Sequence, residues 1–141
     1  MSDVEPVLRP APPISIFNAP FWDYARRHEL RLQRCLDCAR TWAPPGPVCP
    51  HCFSRRFEWA LLSGRGRVAS WAVFHKHYHP FFKGRTPYNV AFVELDEGPR
   101  LVANIVDAPF DAIATGMPVE VVFEDVEDRF ALPQFRPLRA D

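Results

Sequence analysis

The sequence has no long apolar run and no leader pattern at its start. Residues 1–15 contain two acidic side chains and repeated prolines, whereas a signal peptide needs a basic start and an unbroken apolar stretch. No later segment reaches the length that a membrane-spanning helix requires. We therefore expect a soluble, cytoplasmic protein.

The sequence also lacks the short motifs of common enzyme classes. It contains no nucleophile elbow, H-E-x-x-H motif, Walker loop or Rossmann glycine fingerprint. The carboxylates of residues 123–129 are typical of a solvated strand end. All four cysteines lie in one short segment, so none is spare to act as a nucleophile. We find no catalytic constellation.

A net charge is missing as well, because 17 basic and 17 acidic residues cancel. The two halves nevertheless differ: residues 1–70 carry ten basic and six acidic side chains, and residues 71–141 carry seven and eleven. A ligand-binding module in the acidic second half lacks the basic field that nucleic acid binding requires.

What the sequence does contain is two C-x-x-C pairs ten residues apart. Each pair presents two thiolates from one tight turn, and two pairs complete a tetrahedral shell. The predicted ligands of one structural Zn²⁺ are Cys35, Cys38, Cys49 and Cys52. A disulfide, a redox pair or an iron centre are the alternatives. A closed shell leaves no position for water, so the metal is expected to shape the chain, with His51 an exposed turn residue.

The 141 residues, 48% of them hydrophobic, allow one core, or one core beside a small satellite module. Prolines make residues 1–16 an extended arm, either disordered or docked on a partner. Residues 18–30 predict a helix with Asn18 as its cap and Pro20 in its first turn. Its packed side is expected to carry Phe21, Ala25 and His28.

Alternating apolar residues predict strands on both sides of the cysteines. Leu30 and Leu32 alternate within residues 29–35, and residues 55–62 place Phe57, Trp59 and Leu61 on one face. Five further strands are predicted at 68–78, 88–95, 99–106, 119–126 and 130–135. Residues 96–100 would form the hairpin between the second and third of these. Five short strands with one longer connection favour a closed barrel of the OB type.

This order of elements, with the segments 87–107 and 116–125, closely resembles the acyl-CoA-associated zinc-ribbon/OB-fold family, domain of unknown function 35. The resemblance covers about residues 17–137. It implies a mainly β fold with an N-terminal helix, a rubredoxin-like zinc ribbon with four cysteine ligands and a C-terminal five-stranded OB-fold barrel. The four cysteines match the family's zinc ligands. Gly64 and Gly66 match its ribbon-to-barrel turn. The residues that match its barrel signature are Pro87, Glu94, Leu95, Gly98, Gly116, Pro118 and Val119.

The resemblance implies a non-catalytic auxiliary subunit of a thiolase-fold enzyme, such as a thiolase or a retro-aldolase acting on steroid-CoA thioesters. Some relatives carry a fused hydratase-like domain that this sequence lacks, which favours a dedicated small subunit. We divide the chain into a proline-rich arm (1–16), a helix and zinc ribbon (17–62) and an OB-fold domain (63–141).

Two neighbouring segments are candidate contacts for a partner or for CoA. Alternate positions place His75, His77 and His79 on one face of a predicted strand. The outer two would lie about 13 Å apart, too far to share one metal ion. A solvated or interface face, or a phosphate contact, is therefore favoured over a metal site.

The following loop combines Phe81 and Phe82 with the cations Lys83 and Arg85. The phenylalanines either fold back under the barrel mouth or form a patch for an enzyme partner or an acyl-CoA.

Three functions compete. The first is the auxiliary subunit, which co-purification would reveal. The second is a single-stranded nucleic-acid-binding module, because zinc ribbons and OB barrels both bind single strands. The third is a free enzyme acting on CoA thioesters, with the histidine segment as general base.

Overall fold

The computed structural model describes residues 7–139, so the first six residues of the predicted arm lie outside the described part. The protein is mainly β with one α-helix, α1, at Ala19–Arg26. The strands are β1 Arg31–Cys35, β2 Thr41–Trp42, β3 Phe57–Leu61, β4 Arg65–Phe74, β5 Tyr88–Leu95, β6 Arg100–Ala103, β7 Pro118–Val126 and β8 Phe130–Pro137. No helix within residues 7–139 has the length and apolar character needed to cross a membrane.

The first three strands form the ribbon sheet, in the order β2-β1-β3. Both pairings are antiparallel, and Cys35 at the end of β1 lies opposite Phe57 at the start of β3. β1 and β3, which precede and follow the cysteine segment in the sequence, confirm the sequence prediction. The short strand β2 was not predicted, because two residues are too few to show an alternating pattern.

The other five strands form a sheet in the order β6-β5-β4-β7-β8 with antiparallel neighbours. A parallel bridge between Ile105 and Phe135 joins the two edges, which makes the sheet a nearly closed barrel. The predicted hairpin is present, since the amide of Leu95 donates to the carbonyl of Pro99 at 2.9 Å. The predicted five-stranded OB-fold barrel is thereby confirmed.

The helix forms where it was predicted but ends earlier. Phe21 and Ala25 are buried, as expected. His28 was wrongly placed on the packed side of the helix. It follows the last turn with a positive φ of 60°, and its ring stacks on Phe123 with centroids 5.2 Å apart.

Asn18 stands at the N-cap position, but its side chain does not cap the helix. Its Oδ1 accepts a hydrogen bond from the amide of Ser15 at 2.7 Å, and its Nδ2 donates to the carbonyl of Pro13 at 3.0 Å. Asn18 therefore ties the preceding segment to the helix start.

A main core fills the barrel and continues into the base of the ribbon. Leu30, Leu32 and Leu62 from the ribbon base belong to the same buried cluster as Val93 and Phe135 of the barrel. A second, small cluster surrounds the cysteines and consists of Cys35, Trp42 and Cys49, with Cys38 and Phe57 packed against it. The ribbon thus has a base held by the barrel core and a tip with little apolar packing of its own.

The described part of the arm lies against the barrel. The guanidinium of Arg9 donates to Glu124 at 2.9 Å, and the carbonyl of Arg9 accepts from Arg129 at 2.7 Å. Arg9 also lies over the ring of Phe81, 5.7 Å from its centroid. These contacts place the arm beside the end of the barrel at the loop between β4 and β5, which we call the barrel mouth.

Candidate metal centre and partner surface

The four cysteine sulfurs come together between the two turns of the ribbon. All four Sγ atoms lie within 4.8 Å of one another. Two of the distances are 3.5 Å, between Cys35 and Cys52, and 3.6 Å, between Cys38 and Cys49. A zinc ion about 2.3 Å from each of four sulfurs would hold them about 3.8 Å apart. The geometry therefore fits a tetrahedral Zn²⁺ site.

Backbone amides of the turns point at the sulfurs. The amides of Asp37 and Cys38 each lie 3.4 Å from the Sγ of Cys35, and the amide of His51 lies 3.4 Å from the Sγ of Cys49. Such contacts stabilise a thiolate, and the pKa of Cys35 is lowered to about 6, first of all by the Cys38 amide.

The pKa of Cys52 is shifted in the opposite direction to that of Cys35. The Ser54 amide lowers the pKa of Cys52, but the neighbouring Cys35 sulfur and desolvation outweigh it and raise that pKa to about 12. Protons and a metal ion therefore compete for this cluster, because a metal binds only the thiolates. His51 is exposed and lies outside the sulfur cluster, with its Nδ1 3.3 Å from Nη1 of Arg40.

The three alternate histidines do not lie on a strand. β4 ends at Phe74, whose partner Tyr88 begins β5, so the histidines belong to the loop between these strands. His75 and His77 are exposed. His79 accepts a hydrogen bond at Nδ1 from the amide of Phe81 at 3.1 Å and so begins a short 3₁₀ turn. The predicted shared face is wrong, because the sheet pairing ends before the histidines.

The loop after the histidines folds partly onto the barrel. Phe82 packs on Tyr88, with ring centroids 5.2 Å apart, and meets Phe81 edge to face at 5.1 Å. The guanidinium of Arg85 covers the Phe81 ring at 4.2 Å, while Lys83 is exposed. Both phenylalanines are half-buried, so they fold back onto the barrel only in part, and their contact with a partner or an acyl-CoA stays a prediction.

A cavity of about 530 Å³ opens at the barrel mouth beside this loop. Its walls combine aromatic rings, amide side chains and charged groups, among them Phe81, Tyr88, Arg85, Arg9 and Glu124. Glu124 neutralises Arg9, so Arg85 supplies the unpaired charge of this wall. No carboxylate within residues 7–139 forms an ion pair with Arg85. The mouth is therefore suited to an anionic group with an apolar or aromatic part.

Sequence reasoning missed several residues that shape these surfaces. Gln33 and Asn89 are buried amides whose structural contacts no local pattern predicts. The apolar side chains of Leu36 and Phe53, at the turns that carry the cysteines, are exposed.

The ribbon, the cysteine cluster and the nearly closed five-stranded barrel define a zinc-ribbon/OB-fold protein. Residues 22–58 match the family described as the ChsH2 rubredoxin-like zinc ribbon domain, and residues 59–124 match the ChsH2 C-terminal OB-fold domain. A DUF35 domain-containing scaffold protein of Methanothermobacter thermautotrophicus is 38% identical over 104 residues, which cover 73% of this chain and 77% of that protein. The chain belongs to the DUF35 family.

Two further similar proteins carry enzyme names, one that of an enoyl-CoA hydratase subunit and the other that of an aldolase. A probable enoyl-CoA hydratase alpha subunit of Thermomonospora curvata is 43% identical over 130 residues, and the chain spans only 40% of that protein's length. The solved structure of an Ltp2-ChsH2(DUF35) aldolase contains a chain with 42% identity and a TM-score of 0.82, covering 90% of this chain and 98% of that one. Family members thus carry the names of scaffolds and of enzyme subunits.

Proposed function

We propose that this chain is a non-catalytic subunit that binds a thiolase-fold enzyme, a thiolase or an acyl-CoA or steroid-CoA retro-aldolase, and helps to shape or gate its acyl-CoA site. The observation that carries the proposal is the similarity to a chain in the solved structure of an Ltp2-ChsH2(DUF35) aldolase, along 98% of that chain's length. The partner, its reaction and any contact with CoA are part of the proposal.

The side chains support an auxiliary role. The sulfurs fit a closed metal shell that has no open position for a substrate. Within residues 7–139, three histidine side chains form hydrogen bonds: His28 with Asp125, His51 with Arg40, and His79 with the Phe81 amide. None of these partners is a hydroxyl or thiol nucleophile. A subunit of this kind acts through its surface, by holding and completing a site on its partner.

The barrel mouth is the proposed contact with the acyl-CoA end of that site. Arg85 is held in place because its Nε donates to the carbonyl of Phe81 at 3.1 Å, and its guanidinium carbon lies over the Phe81 ring, 4.2 Å from the centroid. Lys83 stands exposed beside it. Two cations next to an apolar wall suit either the phosphates of CoA or carboxylates of the enzyme.

Co-purification tests the proposal. The tagged chain, expressed in its native host at normal levels, is expected to recover a thiolase-fold enzyme in a stable ratio, identified by mass spectrometry. The purified complex should turn over an acyl-CoA thioester faster than either component alone. Failure of the wild-type chain to recover such an enzyme would refute the function.

The mouth is tested in the reconstituted complex. Arg85→Gln should chiefly raise the KM for the CoA ester if the guanidinium meets phosphate, or slow association with a weaker salt dependence if it meets a protein carboxylate. Arg65→Gln, at an exposed arginine at the start of β4, is the matched control and should change neither. Equal behaviour of the two variants would remove Arg85 from the contact.

A further inference from the structure

The two turns that carry the cysteines end in an exposed apolar surface, which we call the ribbon tip, residues 36–40 and 50–55. Phe53 is 77% exposed and Leu36 is 51% exposed. The turns adjoin each other, since the amide of Leu36 donates to the carbonyl of Arg56 at 2.9 Å. The ring of Phe53 stacks on no other aromatic ring of the described chain. It therefore contributes little to the interior.

The backbone at Phe53 makes this exposed ring more unusual. Phe53 has a positive φ of 64°, and Ala39 at the matching position of the first turn has a φ of 65°. Each of the two amides donates to the carbonyl of the first cysteine of its turn, Phe53 to Cys49 at 2.8 Å and Ala39 to Cys35 at 3.0 Å. The left-handed conformation favours glycine. The turn thus has no structural need for an aromatic side chain, and the first turn has only a methyl group there.

The ribbon tip also carries two cations that lack acidic partners. Arg34 and Arg56 form ion pairs with Glu58 and Asp37. Arg40 and Arg55 form none with any carboxylate of residues 7–139. Arg40 instead lies beside His51. The ribbon tip therefore presents exposed apolar side chains together with two cations, Arg40 and Arg55, that have no carboxylate partner within residues 7–139.

We propose that the ribbon tip is a second docking surface, which inserts Phe53 into an apolar recess rimmed by carboxylates on the enzyme subunit. The proposal rests on the proposed function and adds a contact separate from the barrel mouth. Burial of an aromatic anchor within a charged rim is the usual composition of an interface hot spot. A protein partner is favoured over single-stranded nucleic acid, because Phe53 is a lone aromatic ring on a narrow turn and nucleic-acid grooves align several stacking rings with cations.

Replacing Phe53 by glycine separates docking from folding. Phe53→Gly removes the ring and relieves the backbone strain of a positive φ at a non-glycine residue. The unfolding temperature should therefore stay the same or rise, and the zinc content should stay the same. Affinity for the enzyme recovered with the wild-type chain should fall about tenfold or more. Glu127→Gly, at an exposed positive-φ position outside the ribbon tip (φ 53°), gives the same backbone relief without removing a ring, and it should bind like the wild type.

Two supporting variants keep the test decisive if Phe53→Gly loses its fold. Phe53→Asn retains a residue that tolerates a positive φ and should show the same loss of affinity. Arg55→Glu should slow association with the enzyme, and the difference from wild type should shrink as salt is raised. A folded Phe53 variant that binds like the wild type overturns the proposal.

The remaining outcomes distinguish the two proposals. If the wild-type chain recovers an enzyme and the Phe53 variants recover it equally well, the docking surface is wrong and the function stands. If the wild type recovers none, the function is wrong and the surface falls with it. Tight binding of a labelled single-stranded oligodeoxythymidine that Phe53→Gly abolishes would overturn the protein-docking proposal in favour of nucleic acid binding.

Discussion

The side-chain amide of Asn89 exchanges two hydrogen bonds with the backbone of Ile105: Nδ2 donates to the Ile105 carbonyl at 2.8 Å, and Oδ1 accepts from the Ile105 amide at 2.7 Å. These two bonds take the place of a pair of main-chain hydrogen bonds beyond Ala103, where β6 no longer pairs with β5. Ile105 is then free to bridge Phe135 and close the barrel. Gln33 makes the same exchange with Gly46 in the ribbon, with both bonds at 2.8 Å.

Asn89→Ala is expected to destabilise the protein by about 2–4 kcal/mol, because it leaves a buried amide and a buried carbonyl of Ile105 without partners. Urea denaturation followed by circular dichroism measures the change. Asn104→Ala is the matched control, since it removes only the single bond from Asn104 Nδ2 to the Asn89 carbonyl. Equal losses in the two variants would contradict the role of Asn89 in closing the barrel.

Metal removal should unfold the ribbon tip and leave most of the barrel. The cysteine cluster is a separate small core, whereas the ribbon base shares the barrel core. Metal analysis of the purified protein should give about one zinc per chain. Cys38→Ser or Cys49→Ser should lose the metal and weaken partner binding while much of the β signal in circular dichroism remains.

His51→Ala serves as the control for the metal experiment and should retain zinc, because its ring lies outside the sulfur cluster.

Acidification should release the zinc, since protons compete for the same thiolates. Recovery of a disulfide with no metal would show that the cluster has another role.

Gly66→Ala is expected to cost about 2–3 kcal/mol. A Cβ at this buried position would collide with the carbonyl oxygen of Glu94 on the neighbouring strand and lie 3.0 Å from Cγ1 of Val93. The backbone of a central strand pair cannot move aside cheaply. Gly46→Ala, where a Cβ meets nothing within 4 Å, should change stability by less than about 0.5 kcal/mol. Thermal unfolding of both variants provides the comparison.

The isolated chain should show no hydrolysis, cleavage or condensation of acyl-CoA thioesters, because no histidine side chain of residues 7–139 is hydrogen-bonded to a hydroxyl or thiol. The Ser54 hydroxyl does donate to Asp37, but that carboxylate is already paired with Arg56. Turnover is measured by release of free CoA thiol, with the reconstituted complex as the positive control. Turnover by the single chain that survives further purification, and that His79→Ala abolishes, would make it an enzyme in its own right.

The features fixed over short distances could be predicted from the sequence. The spacing of Cys35 and Cys38 places two sulfurs on one turn whatever the rest of the fold does. Alternation in β1, β5 and β7 follows from the two-residue period of a strand, and the turn after Leu95 follows from Gly98 and Pro99. These elements were found because neighbouring residues suffice to define them.

Only the tertiary structure decided where pairing stops and which distant groups meet. His75 continues an apparent strand in the sequence, yet β4 ends at Phe74, because its partner β5 begins at Tyr88. The contact of Asn89 with Ile105 and that of Arg9 with Glu124 join residues 16 and 115 positions apart. Sheet register, barrel closure and the exposure of Phe53 depend on such long-range contacts, which a local pattern of residue types does not contain.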